Sequence, residues 1–121
     1  MKSKIQSPKY DLEERTAKFG ELIIDFVRKI KPDHINKPII NQLVRCSTSI
    51  GANYMEANGA ESKKDFLHKA GICKKESKET KHFLRMIVKS NPETLEESRK
   101  LWQEAQELSL IFGAITKRNK I

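Results

Sequence analysis

The residues of this chain best suited to a chemical task form a basic face between positions 63 and 85. They recur mostly at three- and four-residue steps, as on one side of a helix, and they carry the ammonium and guanidinium groups that proteins use to bind phosphates. The members of this basic face are Lys63, Lys64, Lys74, Lys75, Lys78, Lys81 and Arg85. The chemistry that this pattern indicates is electrostatic binding of a polyanion.

A solvated lysine face is the alternative interpretation, because runs of charge on a helix often serve only solubility. Lys74 stands four residues before Lys78, and Lys81 stands four residues before Arg85. Like charges at this spacing destabilise a helix by roughly a few tenths of a kcal/mol. A sequence selected only for solubility would intersperse charges of opposite sign. Both interpretations stay open, and polyanion binding is the one that the like-charge pairs favour.

Catalytic and metal-binding patterns are poorly represented in the chain. A di-metal site in a helical bundle needs two Glu-x-x-His motifs and a glutamate from each of two further helices, and only Glu79–His82 matches this motif. Cys46 and Cys73 are not arranged as CxxC, and such isolated cysteines are typical of reduced, packed thiols. We therefore predict no catalytic residue, no metal site, no cofactor and no enzymatic activity.

Positive charge is concentrated in one part of the chain. The 121 residues carry a net charge of +8, and residues 61–90 alone hold nine basic and four acidic groups. A localised positive field attracts anionic partners. The start of the chain, Met1–Pro8, lacks the apolar segment of a secretion signal, and no run approaches the roughly 18 apolar residues of a membrane span. We expect a soluble, cytoplasmic protein with no membrane partner.

Four helical segments must position these residues. Apolar side chains recur at helical spacing in four stretches, and proline, glycine and asparagine residues separate the stretches. The predicted helices cover about residues 11–30, 38–57, 63–90 and 92–117, with Ser62 as the N-cap of the third helix and Asp65 as its partner. Short breaks between amphipathic helices favour an antiparallel up-down-up-down four-helix bundle. We predict an all-α fold with a single domain over residues 1–121.

The third predicted helix carries two apolar faces. Its main seam alternates steps of three and four residues, as in near-parallel helix packing, and consists of Phe66, Ala70, Cys73, Ser77, Thr80, Leu84 and Ile87. The small residues of this seam are expected to face the small residues of the second helix. A second apolar group lies off the seam, beside Glu76 and Glu79, and we predict that it is a subunit contact of a homo-oligomer. Its members are Ile72, Phe83 and Met86.

The second predicted helix combines small residues with three conspicuous polar ones. Gly51 in a helix costs about 1 kcal/mol relative to alanine, and close approach of a neighbouring helix would offset that cost. Arg45, Asn53 and Glu56 lie along the same helix. Two interpretations of these three residues stay open, a buried hydrogen-bond network that fixes helix register and a ligand site, and the network is favoured.

The stretch from Gln42 to Phe66 resembles the "four helix bundle protein" family, which includes proteins encoded in the intervening sequences of bacterial 23S ribosomal RNA genes. The similarity spans roughly residues 11–119 and rests on Arg45, Ser47, Ser49, Gly51, Ala52, Asn53, Glu56, Ala57, Lys64–Phe66, Ile72–Glu76, Glu79, Thr80 and Leu101–Glu107. The resemblance implies a four-helix bundle that assembles as a homopentamer. One relative, the accessory variability determinant of diversity-generating retroelements, is a basic pentamer that binds nucleic acid and a reverse transcriptase.

Taken together, the sequence predicts a non-catalytic, basic, oligomeric protein that binds RNA or DNA through the basic face. Stacking on bases is disfavoured, because the rings of Phe66 and Phe83 are assigned to the seam and to the subunit contact. Recognition of the shape or backbone of structured RNA or a duplex is favoured instead. The alternative is a protein-binding scaffold whose basic face docks an acidic protein partner and has no nucleic-acid role.

Overall fold

The computed structural model describes the backbone of residues 8–118 and the side chains of residues 12–117. Within this part of the chain it contains helices and no strand. The helices are α1 (Pro8–Arg28), α2 (Asn36–Asn58), α3 (Lys63–Ser90) and α4 (Leu95–Arg118), and a short 3-10 turn over Pro92–Thr94 precedes α4. The prediction of an all-α fold with four helices is therefore confirmed.

Two helix boundaries differ from the prediction for reasons that lie in the loops. α2 begins at Asn36 instead of Pro38, because the carboxylate of Asp33 accepts hydrogen bonds from the backbone N–H groups of Ile35 and Asn36, each at 2.8 Å. These bonds satisfy donors that a helix start otherwise leaves unpaired. The predicted fourth helix is divided, because the backbone N–H of Thr94 bonds to the carbonyl of Asn91 at 3.0 Å and forms the 3-10 turn.

The start of α3 follows the predicted capping pattern. The side chain of Ser62 accepts a hydrogen bond from the backbone N–H of Asp65 at 3.0 Å. This bond satisfies one of the free N–H groups of the first turn, and the acidic side chain of Asp65 lies near the positive end of the helix dipole. α3 is the longest helix at 28 residues, so its basic face extends along most of the bundle.

The core is built from the predicted seams. Thr16 and four apolar residues of α1 are buried, as are most of the regularly spaced apolar positions of α2, α3 and α4. The four residues of α1 are Leu12, Phe19, Ile23 and Phe26. Phe66, Ile39 and Ile115 are partly buried against this core. Leu95 is an exception, because it continues the helical spacing of the buried residues Leu101 and Leu108 and yet 43% of it is exposed. Burial of this apolar surface, at about 25 cal/mol per Å², is the main favourable term for such a fold.

Small residues allow close approach at two helix pairs. A Cβ atom added to Gly51 would lie 3.3 Å from Oγ1 of Thr16 on α1, so this glycine serves the contact between α1 and α2. On the α3 side, the Sγ atom of Cys73 lies 3.4 Å from the backbone oxygen of Ile50. The expectation that a neighbouring helix approaches Gly51 closely is confirmed, and the helix that does so is α1.

Neighbouring helices are unequally packed. α3 packs extensively against both α2 and α4, α1 packs against α2, and α1 and α4 approach each other least. Hydrogen bonds join the loop after α1 to the loop after α3. The buried Asn36 side chain donates to the backbone oxygen of Lys31 at 3.0 Å and to Oδ1 of Asn91 at 3.1 Å. Since α3 packs against both α2 and α4, side chains on its exposed surface are held by a well-packed helix.

Candidate nucleic-acid interface

The basic face follows the side of α3 that borders α4 and the adjoining outer surface. The aliphatic stem of Lys74 runs beside Gly113 of α4, since a Cβ atom at Gly113 would lie 3.7 Å from Cε of Lys74. Nζ of Lys81 donates a hydrogen bond to Oε1 of Gln106. Lys74 and Lys81 are consequently half-buried, and the other five members of the basic face are exposed. Packing of the stems against α4 holds these cationic groups along one edge.

No member of the basic face forms an ion pair with any residue in the described part of the chain. The acidic residues of α4 are directed elsewhere, toward α1. Arg15 lies 2.7 Å from Glu104 and 2.6 Å from Glu107, and Lys29 lies 2.8 Å from Glu97. Three glutamates of α4 thus pair with Arg15 and Lys29 and form no ion pair with the basic face.

Lys69 of α3 has an ion-pair partner and so differs from the members of the basic face. Nζ of Lys69 lies 2.7 Å from Oε1 of Glu56 on α2. Lys69 was not assigned to the basic face from the sequence, and the structure places it on the flank that α3 turns toward α2. Lys69 on that flank meets a carboxylate, whereas Lys74 and Lys81 along α4 form no ion pair among the described residues, so the positive field is one-sided.

A charged cluster of opposite character lies on the α2 flank of α3. Arg45 of α2 donates to Glu79 at 2.6 Å and to Glu76 at 3.3 Å. Burial, together with the hydrogen-bonded Glu79 carboxylate, raises the pKa of Glu76 above its ordinary value. The hydrogen bond from Arg45 lowers the pKa of Glu79. The cluster is therefore an ion-pair network between two helices with little free charge for a ligand.

The three polar residues of the second helix make separate contacts in the structure. Arg45 pairs with Glu76 and Glu79, Glu56 pairs with Lys69, and the side chain of Asn53 donates to the backbone oxygen of Ser49 at 2.9 Å. Arg45 and Glu56 are exposed and Asn53 is half-buried. Arg45 and Glu56 lie on the same side of α2 but about three helical turns apart, so they contact different turns of α3, whereas Asn53 bonds within α2. Two of them tie α2 to α3, which is a structural role.

The predicted subunit contact lies on the α2 flank of α3. Ile72, Phe83 and Met86 are all half-buried. Phe83 packs against the core and also lies edge-on to His82, with 5.1 Å between ring centroids. The three side chains are therefore less exposed than several apolar residues elsewhere, which are Leu22, Ile35, Met55, Leu95, Trp102 and Leu110. A subunit contact through Ile72, Phe83 and Met86 stays a prediction.

Two surface grooves differ in the charge of their walls. A groove of about 530 Å³ between α1 and α2 is bordered by Glu13, Glu14 and Glu21. A groove of about 510 Å³ between α3 and α4 is bordered by Arg85 and Arg99. An anionic polymer is repelled by the first groove and attracted to the second, which continues the basic face onto α4.

Trp102 is the residue of this surface that the sequence reasoning missed. Its ring lines the groove between α3 and α4, is 37% exposed, and carries the ammonium group of Lys81 at 5.1 Å from its centroid. Such a contact is a cation–π interaction. The sequence feature that could have identified Trp102 is its position directly after Leu101, a residue at the helical spacing of the core. A large ring next to a buried position lies at the border between core and surface.

Other sites for chemistry are limited in the described part of the chain. Among residues 12–117, no group of three histidine, cysteine or acidic side chains is arranged to hold a metal ion. Burial raises the pKa of the Cys73 thiol to about 12 and also raises that of Cys46, so both thiols are poor nucleophiles at neutral pH. None of the described helices has the length and hydrophobicity needed to cross a bilayer.

These features define a four-helix, all-α protein with one cationic flank. Residues 9–114 match the family described as 23S rRNA-intervening sequence protein, and the chain belongs to this family. The resemblance noted from the sequence is thereby confirmed. Its fold is similar to that in a crystal structure from Bacteroides thetaiotaomicron, a protein of unknown function from the S23 ribosomal protein family. The TM-score is 0.79 at 24% identity, over 92% of this chain and 99% of that chain. No curated protein matches the chain.

Proposed function

We propose that this protein is a non-catalytic, cytoplasmic nucleic-acid-binding protein whose basic face contacts the phosphates of a structured RNA or a duplex. The observation that carries the proposal is that none of the seven cationic side chains of the basic face forms an ion pair among the described residues, while Glu97, Glu104 and Glu107 of α4 pair with Lys29 and Arg15. Lys75 acts on Glu79 only through a longer-range attraction that helps to lower the pKa of that carboxyl. Unpaired cations on a rigid helix are pre-organised for phosphates, and binding them does not require breaking internal ion pairs.

The physical mechanism of such binding is release of counterions. Each phosphate that a lysine or arginine neutralises releases condensed cations, so affinity falls steeply as salt concentration rises. Helix α3 has 28 residues, which corresponds to about 42 Å at a rise of roughly 1.5 Å per residue. Its cations would therefore follow a phosphate backbone over several nucleotides and recognise its shape more than its sequence.

We propose further that the bundle is antiparallel in up-down-up-down order and that it assembles as a homopentamer. Two ion pairs between α2 and α3 support the antiparallel order. Arg45 lies beside Glu76 and the later residue Glu56 lies beside the earlier residue Lys69, so the two helices run in opposite directions. The support for the pentamer is the family resemblance and the half-buried group of Ile72, Phe83 and Met86. Five copies of the basic face would act as one multivalent cationic surface.

An acidic protein partner is the second candidate, and the same unpaired cations favour it. Carboxylates on a flexible acidic segment would satisfy the ammonium groups much as phosphates do. The family description, which names the intervening sequence of 23S rRNA, supports nucleic acid over the acidic partner. In this second case the protein would act as a scaffold with no nucleic-acid role.

The experiment that separates the two candidates is a binding comparison with nuclease-treated protein. A labelled RNA hairpin, a DNA duplex and polyglutamate are each titrated with the protein over a series of salt concentrations. We expect tight, salt-dependent binding to at least one of the nucleic acids and weaker binding to polyglutamate. Binding to polyglutamate alone would contradict the nucleic-acid proposal and support the scaffold.

A further inference from the structure

The groove between α3 and α4 combines an aromatic wall with two guanidinium groups. Arg85 lies on the α3 side, Arg99 and Gln103 lie on the α4 side, and Trp102 with Val88 and Leu95 forms an apolar wall. Its volume of about 510 Å³ falls in the range of roughly 300 to 1,000 Å³ that is usual for ligand pockets. The groove therefore offers a surface for a flat apolar group and two cations for anionic groups attached to it.

From this arrangement we propose that the groove binds one unpaired base of a nucleic-acid strand, stacked on Trp102, with Arg85 and Arg99 contacting the flanking phosphates. The inference rests on the proposed function and adds to it a site for an unpaired nucleotide. An aromatic ring is a general platform for bases because every base presents a π face. Arginine is the cation best suited to phosphate because its planar group donates two parallel hydrogen bonds.

The position of Trp102 relative to the basic face supports this assignment. Lys81 lies over the ring at 5.1 Å from its centroid, so the aromatic platform and the phosphate-binding lysines are in direct contact. The ring also lines the groove and stays 37% exposed. A strand whose phosphates follow Lys74, Lys78 and Lys81 would thus reach the groove at the C-terminal half of α3.

Two other occupants fit the groove less well than a nucleotide. An acidic peptide would satisfy the arginines but would leave the exposed apolar wall of Trp102 and Leu95 without a flat partner. A second copy of this chain is assigned to a different face, because the proposed subunit contact consists of Ile72, Phe83 and Met86, none of which lines the groove. A nucleotide supplies the flat ring and the negative charge in one unit.

The test uses the intrinsic fluorescence of Trp102, which is the only tryptophan of the chain. Two RNA hairpins with the same stem are titrated, one fully paired and one with a single unpaired adenosine. We expect the hairpin with the unpaired base to quench Trp102 fluorescence and to bind more tightly. Labelled RNA then measures Trp102→Leu, which we expect to weaken binding of this hairpin by roughly five- to 100-fold. Trp102→Phe should retain part of the affinity.

Each outcome of this test decides a different point. Loss of the preference in Trp102→Leu, with binding of the paired hairpin and helicity unchanged, supports the site. Equal binding of both hairpins by the wild-type protein, without quenching, would overturn the site while the proposed function stands. Failure to bind either hairpin would overturn the site, and failure to bind a DNA duplex as well would overturn the proposed function. A fluorescence change that depends on protein concentration alone, with a lower mass for Trp102→Leu, would assign the groove to a subunit contact and overturn the inference.

Discussion

The ammonium group of Lys81 lies 5.1 Å from the centroid of the Trp102 ring. This contact joins α3 to α4 and connects the basic face to the only aromatic ring of the groove between them. A lysine engaged in this way is held in place without being neutralised, because a π face attracts the cation but leaves its charge. The pair therefore keeps a cation fixed at the surface where an anionic polymer would bind.

The salt dependence of binding should report how many cations take part. If the basic face contacts duplex phosphates, the logarithm of the association constant should fall linearly with the logarithm of the salt concentration, by about 0.9 for each phosphate neutralised. Removing Lys78 alone, as Lys78→Gln, should reduce the slope by about one such unit. Fluorescence anisotropy over a salt series measures the slope. An unchanged slope for this variant would remove Lys78 from the contact set.

The two central glycines should respond in opposite ways to alanine. No atom lies within 4 Å of a Cβ atom added to Gly71, so Gly71→Ala should gain about 1 kcal/mol of helix propensity. At Gly51 the added atom would lie 3.3 Å from Oγ1 and 3.5 Å from the carbonyl carbon of Thr16. Crowding in a packed core costs about 1 to 3 kcal/mol, so for Gly51→Ala the crowding should cancel or outweigh the gain in helix propensity. Urea unfolding of both variants measures the difference, and equal stabilisation would contradict the close contact.

The Arg45 cluster predicts a particular dependence of stability on pH. Because the pKa of Glu76 is raised in the folded protein, its contribution is fully present below the ordinary glutamate value of 4.5 and is lost as pH rises through the raised value. The pKa of Glu79 is lowered, so its contribution is present above 4.5 and is lost as pH falls.

Conservative variants separate these two contributions. The free energy of unfolding of the wild-type protein minus that of Glu76→Gln should decrease as pH rises from 4.5 toward neutrality. The same difference taken with Glu79→Gln should increase as pH rises toward 4.5 and stay level above that value. Urea unfolding at a series of pH values measures both. A parallel response of the two variants would contradict the opposite shifts.

The proposed subunit contact can be tested by introducing charge. A pentamer of 14.0 kDa chains has a mass of about 70 kDa, and light scattering after size-exclusion chromatography measures it. We expect Ile72→Glu with Met86→Glu to yield a monomer, because a carboxylate at each site would have to lose its hydration in the contact. Phe83 is left intact because it also packs against the core.

A matched control places charge on apolar side chains away from this contact. Leu22 is 49% exposed on α1 and Leu110 is 62% exposed on α4, so Leu22→Glu with Leu110→Glu should leave the mass unchanged. Dissociation by this control alone would move the contact to another face. A wild-type protein that is itself monomeric would contradict the assembly.

The helices were predictable because their seams repeat over many turns. Phe19, Ile23 and Leu84 are buried where the period places them. Helix starts were less predictable, because the start of α2 depends on the side chain of Asp33 in the preceding loop. Leu95 directly follows the 3-10 turn and is 43% exposed, although it continues the spacing of the buried residues of α4.

The candidate site was predictable in part. The basic face follows from spacing along one helix, and the structure leaves its members without ion pairs among the described residues. The groove beside it depends on α3 and α4 together, so neither Trp102 nor Arg99 could be assigned to it from one helical period. Arg45 and Glu56 were interpreted as one network because they share a helix, whereas their partners lie at separate positions on α3.

The measurement that tests the central claim most directly compares two charge reversals of equal size. Lys74→Glu with Lys78→Glu alters the basic face, and Lys18→Glu with Lys37→Glu alters two exposed lysines on α1 and α2. Both variants are titrated against the same labelled RNA hairpin and DNA duplex at one low salt concentration. We predict that the first variant loses binding by at least roughly 100-fold and that the second retains most of it. Equal losses in both variants, or no binding by the wild-type protein, would contradict the account.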